Sequence, residues 1–249
     1  MSMEKEIRKL IVDAAFHAKH GHMPSALSIT DIICALHDIM TPEDIFILSK
    51  GHGCLAYYAY LVIIGELTLD ELRNFGKAGS KLGGHPDKNK INKVYTSTGS
   101  LGQGLPTAVG AALARKINNK PGKFYCIIGD GECNEGSIWE AVMLAVTHKL
   151  DNLICIVDYN QSQIRSLPLN QLKNKFQSFG CNSIEVDGHH ISEISNSILN
   201  VKPNMPLFII ANTVKGKGIS QLESNIFTWH HKAPTFEEYT QFIQEIYEK

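Results

Sequence analysis

Histidine, aspartate and asparagine recur in this sequence where apolar runs give way to glycine. His22 follows Gly21, His52 lies in Lys50-Gly51-His52-Gly53, His85 in Gly84-His85-Pro86, and His230 in Trp229-His230-His231. Asp130 stands between Gly129 and Gly131, at the end of the apolar run Phe124 to Ile128. Asn160, thirty residues on, closes a second such run, Leu153 to Val157, after Asp158 and Tyr159. A carboxylate, an amide oxygen and a nearby backbone carbonyl make a hard-oxygen set suited to Mg²⁺, which normally also takes phosphate oxygens. Gly131 lets the backbone come close to an anion, and the helix expected behind it presents free N–H groups. Each feature alone has a plainer explanation. Gly-Asp-Gly is a common turn, and a histidine on a loop is most often solvated.

The elements that must position these groups read as strands alternating with helices. The two apolar runs flank a helical pattern from Asn134 to His148, with Ile138, Val142, Ala145 and Val146 at helical spacing, which makes a β-α-β unit. In such a unit both strand ends open on one edge of the sheet, the usual crevice for ligands, so Asp130 and Asn160 are expected to meet there. Further strands are expected at 45–49, 183–186 and 207–211. Helices are expected at 3–19, about 28–39, 54–65, 103–117, 190–200 and 235–248, the last amphipathic and packed on the outside. Gly21 and Pro24 should break the chain and leave His22 on a loop, and 76–93 should be irregular. Thr98 to Gly104 is a glycine-rich loop whose spacing does not fit a dinucleotide fingerprint; its glycines free the backbone to bond a ligand's polar edge. The expected fold is one α/β domain over 1–249, doubly wound, with a mainly parallel sheet flanked by helices.

Composition narrows the partners. The chain has 249 residues, 43% of them hydrophobic, and a formal charge of -1, so it has core enough for one domain and no basic excess to suggest nucleic acid. No apolar run approaches a membrane span, and the charged N-terminus does not resemble a signal peptide. The six cysteines (34, 54, 126, 133, 155 and 181) form no paired motif and read as reduced core residues of a cytoplasmic protein, with zinc not expected.

Gly-Asp-Gly followed thirty residues later by Asn resembles the signature of thiamine diphosphate enzymes. The segments GHMPSALS, LSKGHG, LGGHPD, TSTGSLGQG, GDGECNEG, VDYN, ANTVKGKG and WHHKAP, in this order from residue 21 to 234, resemble the N-terminal, diphosphate-binding half of the transketolase family. The resemblance implies thiamine diphosphate and Mg²⁺ as cofactors, with Asp130, Asn160 and the Ser162 carbonyl on the metal. It implies cofactor contacts from His52, Ser100, Leu101, Gly102, Gly129, Gly131, Glu132, Ile164, Lys215 and His230, besides the metal ligands. His22, His52, His85 and His230 would work at the reacting centre or along the substrate channel. Glu135 would join an acidic network between two active sites, although an acidic residue at a helix start is also simply favoured by the dipole.

The reaction so implied is transfer of a two-carbon ketol unit from a ketose to an aldose. Each step moves a proton near neutral pH, where imidazole can serve. The chain looks like the shorter subunit of a split transketolase. It would be inactive without a partner carrying the pyrimidine-binding and C-terminal domains, in an α2β2 assembly, with sugars or sugar phosphates as substrates. Departures from the family's pattern lie at Met23-Pro24-Ser25, Ser162, Arg165, Ser166 and His231, mostly around the channel, so substrate choice rather than cofactor binding is where the chain should differ. The alternatives keep the cofactor but use an α-keto acid donor, act on an unusual sugar, or lose catalysis and keep only partner binding.

Overall fold

In the computed structural model, which describes residues 2–164, 166–225 and 228–248, four apolar runs and the mixed segment 182–187 pair as one parallel sheet. The strands are β1 (Ile45–Leu48), β2 (Phe124–Gly129), β3 (Leu153–Tyr159), β4 (Asn182–Asp187) and β5 (Leu207–Asn212), in the spatial order β1-β2-β3-β5-β4. All four pairings are parallel. Strands covered on both faces need apolar residues on both, and this is why β1, β2, β3 and β5 read as continuous runs; β4, at the sheet edge, alternates Ile184 and Val186 with Ser183, Glu185 and Asp187. Tyr125, Ile127, Ile154, Ile156 and Ile209 point into one core; Phe124, Cys126, Ile128, Cys155, Val157, Phe208 and Ile210 point into the other.

The first core is closed by α1 (Met3–Ala18), α2 (Met23–Leu27), α3 (Thr30–Ile39), α4 (Cys54–Ile63), α5 (Leu69–Arg73), α9 (Ile191–Leu199), α10 (Ser220–Ser224) and α11 (Phe236–Glu248). The second is closed by α6 (Gly104–Ile117), α7 (Gly136–Thr147) and α8 (Leu172–Ser178). The expected α/β sheet with helices on both faces is the observed architecture. The terminal helix does lie outside, on α1, where Tyr239 stacks on Phe16 at 4.5 Å between ring centroids. All six cysteines are buried free thiols, and no helix among the described residues is long and apolar enough to cross a membrane.

Two local expectations are corrected. The helix expected over 28–39 starts at Thr30 and is preceded by a separate short one, α2, because Pro24 occupies the first turn of α2, where its missing N–H has no intrahelical acceptor to lose. His22 lies outside the helices, as expected, at the position just before α2, where its side chain makes no capping hydrogen bond. After Gly131 the chain makes a 3-10 turn, Gly131–Asn134, and only then enters α7. The short helices α5, α8 and α10 were not expected. α5 opens with a capping box between Thr68 and Glu71, and α8 shows only Leu172 and Phe176 to the core. The departure at Arg165 lies outside the described residues.

Candidate active site

Because every strand is parallel, the residues leaving β1, β2, β3 and β5 converge on one edge of the sheet. These are Ser49-Lys50-Gly51-His52, Asp130-Gly131, Asn160-Gln161-Ser162 and Thr213-Val214-Lys215. Gly129 pairs with Asp158 across β2 and β3, and the Asp130 N–H donates to the Asp158 carbonyl at 3.2 Å. The expected meeting of Asp130 with Asn160 follows from that register.

At the centre lies an ion pair between residues of two separate motif segments, LSKGHG and VDYN. Lys50 and Asp158 are both fully buried and in contact. Lys50 Nζ also donates to the Ser25 carbonyl at 3.0 Å. The Asp158 carboxylate accepts from Ser28 Oγ at 2.8 Å, from Asn160 Nδ2 at 2.7 Å and from Thr213 Oγ1. A carboxylate with this many donors is a fixed acceptor, and it sets the Asn160 amide with its nitrogen inward. Asn160 Oδ1 accepts from the Ser162 N–H at 3.0 Å, and Ser162 Oγ donates to Asp130 Oδ1 at 3.3 Å. Ser162 thus joins the two expected metal ligands through its hydroxyl and its N–H.

Asp130 carries the observation that matters most. Its Oδ1 accepts from the Gly131 N–H at 2.8 Å, but Oδ2 is buried with no hydrogen-bond partner. Burial, then the neighbouring Asp158 charge, push Asp130 above the ordinary carboxylate range, against the pull of the Gly131 N–H, Lys50 and Ser162. A buried oxygen without a donor is costly, and a cation beside it removes the cost. An orphaned carboxylate oxygen next to an amide and a hydroxyl gives an all-oxygen environment that suits a hard divalent ion.

Glu132 turns inward. Its carboxylate accepts from Ser49 Oγ, from the Gly102 N–H at 2.9 Å and from the Gly129 N–H at 3.1 Å. It therefore ties the glycine-rich loop to the turn after β2. Gly102, at φ +77°, also offers its carbonyl to Ser137 Oγ at 2.7 Å. Thr98 Oγ1 donates to the Leu48 carbonyl at 2.7 Å and fastens the start of the same loop to β1. Ser100 is exposed and Leu101 half-buried on this loop, and Glu135 is exposed at the start of α7 with its side chain over Gly102. Ile164 is exposed beyond Ser162, and Ser166 donates its N–H to the Gln163 carbonyl at 2.8 Å.

The histidines gather on the other side of the crevice. His22 lies 5.8 Å from His52 and 5.1 Å from His230, centroid to centroid, and its Nδ1–H donates to the His230 carbonyl at 2.8 Å. Burial lowers His22 to about 4, with His231, His230 and His85 adding repulsion against the pull of that hydrogen bond. Burial and then Lys50 lower His52 to about 2, so both rings are neutral at physiological pH. Buried Lys215 donates to His230 Nδ1 at 3.3 Å and is lowered to about 8, first by burial and then by Lys50. His85 packs its ring over Gly99, where a Cβ would stand 2.9 Å from the ring.

The loop carrying Lys215 is held from behind. Asp31 accepts from Arg8 and from His189 Nδ1, each at 2.6 Å, and His189 Nε2 accepts the Val214 N–H at 2.8 Å. Lys50 and Asp158 fall inside the LSKGHG and VDYN segments, but their pairing, like the Arg8–Asp31–His189 network, depends on contacts distant in sequence. A further signal is a charged residue directly ending, or following, an apolar strand.

Residues 1–247 match the profile described as "Transketolase, thiamine diphosphate binding domain". One subunit of the apulose-4-phosphate transketolase of Actinobacillus succinogenes is 39% identical over 96% of this chain and 92% of its own length. The 6-deoxy-6-sulfo-D-fructose transketolase subunit SqwG of a Clostridium species is 38% identical over 91% and 88%. Human transketolase is 39% identical over 95% of this chain, which spans only 40% of that protein. Among solved structures, transketolase from Campylobacter jejuni superposes with a TM-score of 0.88 at 32% identity, over 98% of this chain and 42% of its own. The chain therefore belongs to the transketolase family, and its residues 1–247 match that family's thiamine diphosphate binding domain.

Proposed function

We propose that this chain is the thiamine diphosphate- and Mg²⁺-binding subunit of a two-chain transketolase. It transfers a two-carbon ketol unit from a ketose to an aldose in an active site completed by a partner subunit, two copies of each forming the assembly. The observation that carries the reading is the orphaned Asp130 Oδ2 beside Asn160 and Ser162 at adjacent strand ends. The two-chain form is supported by relatives that are themselves named as one subunit of a transketolase. This chain matches two of them over 92% of their length, against 40% for human transketolase. Six buried free thiols suit a reducing compartment and support a cytoplasmic location.

Asp130, Asn160 and Ser162 would hold the metal, and Gly131 and Lys215 would face the diphosphate. When bound, thiamine diphosphate supplies the nucleophilic carbon and the electron sink for the two-carbon fragment. The chain's own groups bind, orient and move protons. Lys215 is a buried cation placed to neutralise phosphate charge, and the Arg8–Asp31–His189 network holds its loop. Because His22 Nδ1 carries the hydrogen donated to the His230 carbonyl, its neutral Nε2 has a lone pair to accept a proton from a sugar hydroxyl. Burial keeps His22 and His52 neutral and thus able to accept at neutral pH. The substrates are sugars or sugar phosphates.

Reconstitution tests the assignment. The purified chain, given thiamine diphosphate, Mg²⁺, a ketose and an aldose, should bind cofactor without turnover, and adding the partner should start ketol transfer. Robust turnover by the chain alone would overturn the two-chain reading.

A further inference from the structure

The end of the sheet opposite the crevice holds a second cavity. It measures about 460 Å³ and lies where the start of β1 meets the C-terminal ends of α3 and α4. Ile45 and Phe46 stand at the other end of β1 from Ser49 and Lys50, and the cavity shares no residue with the Asp130–Lys215 crevice. The volume suits a small organic molecule.

The floor is apolar and closed to water: Ile33, Leu36 and Leu61 are 3%, 2% and 1% exposed. The walls are aromatic. The Phe46 and Tyr57 rings lie 4.8 Å apart, centroid to centroid, and Tyr57 donates its hydroxyl to the Lys93 carbonyl at 2.8 Å. Tyr95 adds a third, more exposed ring.

The charged groups of the lining already have partners. Lys93 Nζ pairs with Glu66 at 3.1 Å, and Asp44 accepts from the N–H groups of Thr41 at 2.8 Å and Lys123 at 2.6 Å. His37 Nδ1 and the Tyr60 hydroxyl share a hydrogen bond at 3.2 Å. Burial raises Tyr57 and Tyr60 above the ordinary phenol value, so both stay neutral. A cavity with an apolar floor and its charges already paired favours an uncharged ligand over an ion.

The main chain supplies the polar anchor. Among the described residues, β1 pairs only with β2. The Ile45 N–H donates to the Lys123 carbonyl at 2.9 Å and the Ser49 N–H to the Ile127 carbonyl at 2.8 Å. Successive residues of a parallel strand turn their amide groups to opposite sides. Phe46 therefore turns its N–H and C=O away from β2, to the free edge of the sheet. Since Phe46 lines the cavity, a donor and an acceptor stand side by side among aromatic rings.

We infer that this cavity binds a planar, uncharged nitrogen heterocycle of the nucleobase type, whose adjacent donor and acceptor pair with the Phe46 C=O and N–H while its faces pack on Phe46, Tyr57 and Tyr95. A ligand without that edge would leave both main-chain groups unpaired in an apolar setting, which is how the site would discriminate. The inference is independent of the proposed function.

The test titrates adenine and uracil into the full chain already loaded with thiamine diphosphate and Mg²⁺, so that a base able to enter only the crevice finds it occupied. Binding is followed by calorimetry and by backbone amide resonances. The Phe46 amide should shift, and affinity should stay within about twofold when the cofactor is left out. Toluene, which fills the same space without hydrogen bonds, should bind at least about tenfold more weakly. Tyr95→Ala, at a position 42% exposed, should weaken base binding about tenfold and leave thiamine diphosphate affinity within about twofold. A response to adenine alone supports the site and narrows the class to purines; a response to uracil alone supports it and narrows the class to pyrimidines. The inference is overturned if neither base shifts the Phe46 amide, if toluene binds as tightly as the bases, or if Tyr95→Ala binds them as the parent does.

Discussion

Lys50→Met gives the sharpest test of how the site is held together. The Lys50 side chain is 1% exposed and that of Asp158 0%, so the pair is shut off from water. Methionine keeps most of the apolar stem but removes the charge, leaving a buried carboxylate without its cation. Breaking a buried pair by removing one partner costs about 3–5 kcal/mol. Ser28, Asn160 and Thr213 still donate to Asp158, so the lower end, about 3 kcal/mol, is expected. With a urea slope of about 3 kcal/mol per molar, the unfolding midpoint should fall by about 1 M. Adding Asp158→Asn to Lys50→Met should recover part of the loss, since both charges then leave together, and the double-mutant cycle should show clear coupling. A loss below about 1 kcal/mol, or a cycle with no coupling, would refute the claim that this pair anchors the crevice.

Lys215 should make cofactor affinity pH-dependent. Its value of about 8 in the free chain means that it loses its charge as pH rises through about 8, and thiamine diphosphate affinity should then fall by about tenfold; Lys215→Arg should bind with no such loss. The stability sign is opposite: between about 8 and the ordinary lysine value of 10.5 the unfolded chain binds more protons, so stability attributable to this group rises with pH across that window, as a urea series would show. Gly102→Ala should destabilise by about 1–3 kcal/mol and weaken cofactor binding, read by thermal unfolding and a thiamine diphosphate titration. At φ +77° its Cβ would stand 2.4 Å from Ser137 Oγ and 2.7 Å from Glu135 Cβ.

Four of the strands were legible because a parallel sheet covered on both faces demands unbroken apolar runs, and the edge strand β4 by its alternation of Ile184 and Val186 with polar residues. Asp130 and Asn160 were legible for the same reason: a polar residue that ends such a run is at the crevice edge. What stayed hidden depended on contacts distant in sequence. Asp158 looks like any acidic residue at a strand end until the fold places Lys50, 108 positions away, against it. Glu132 sits in the recognisable motif, yet only the folded loop shows that its carboxylate holds Gly102 and Gly129. Helix α2 was missed because Pro24 reads as a breaker, whereas in a first helical turn it is tolerated.

In the proposed function a divalent ion would complete the orphaned Asp130 Oδ2 and so secure thiamine diphosphate. Titrating Mg²⁺ into the chain with thiamine diphosphate, and following cofactor binding by calorimetry, tests this directly against Asp130→Asn. The parent should bind the cofactor only with Mg²⁺, and the variant should need at least about 100-fold more of the ion. Equal Mg²⁺ dependence in both proteins would contradict it.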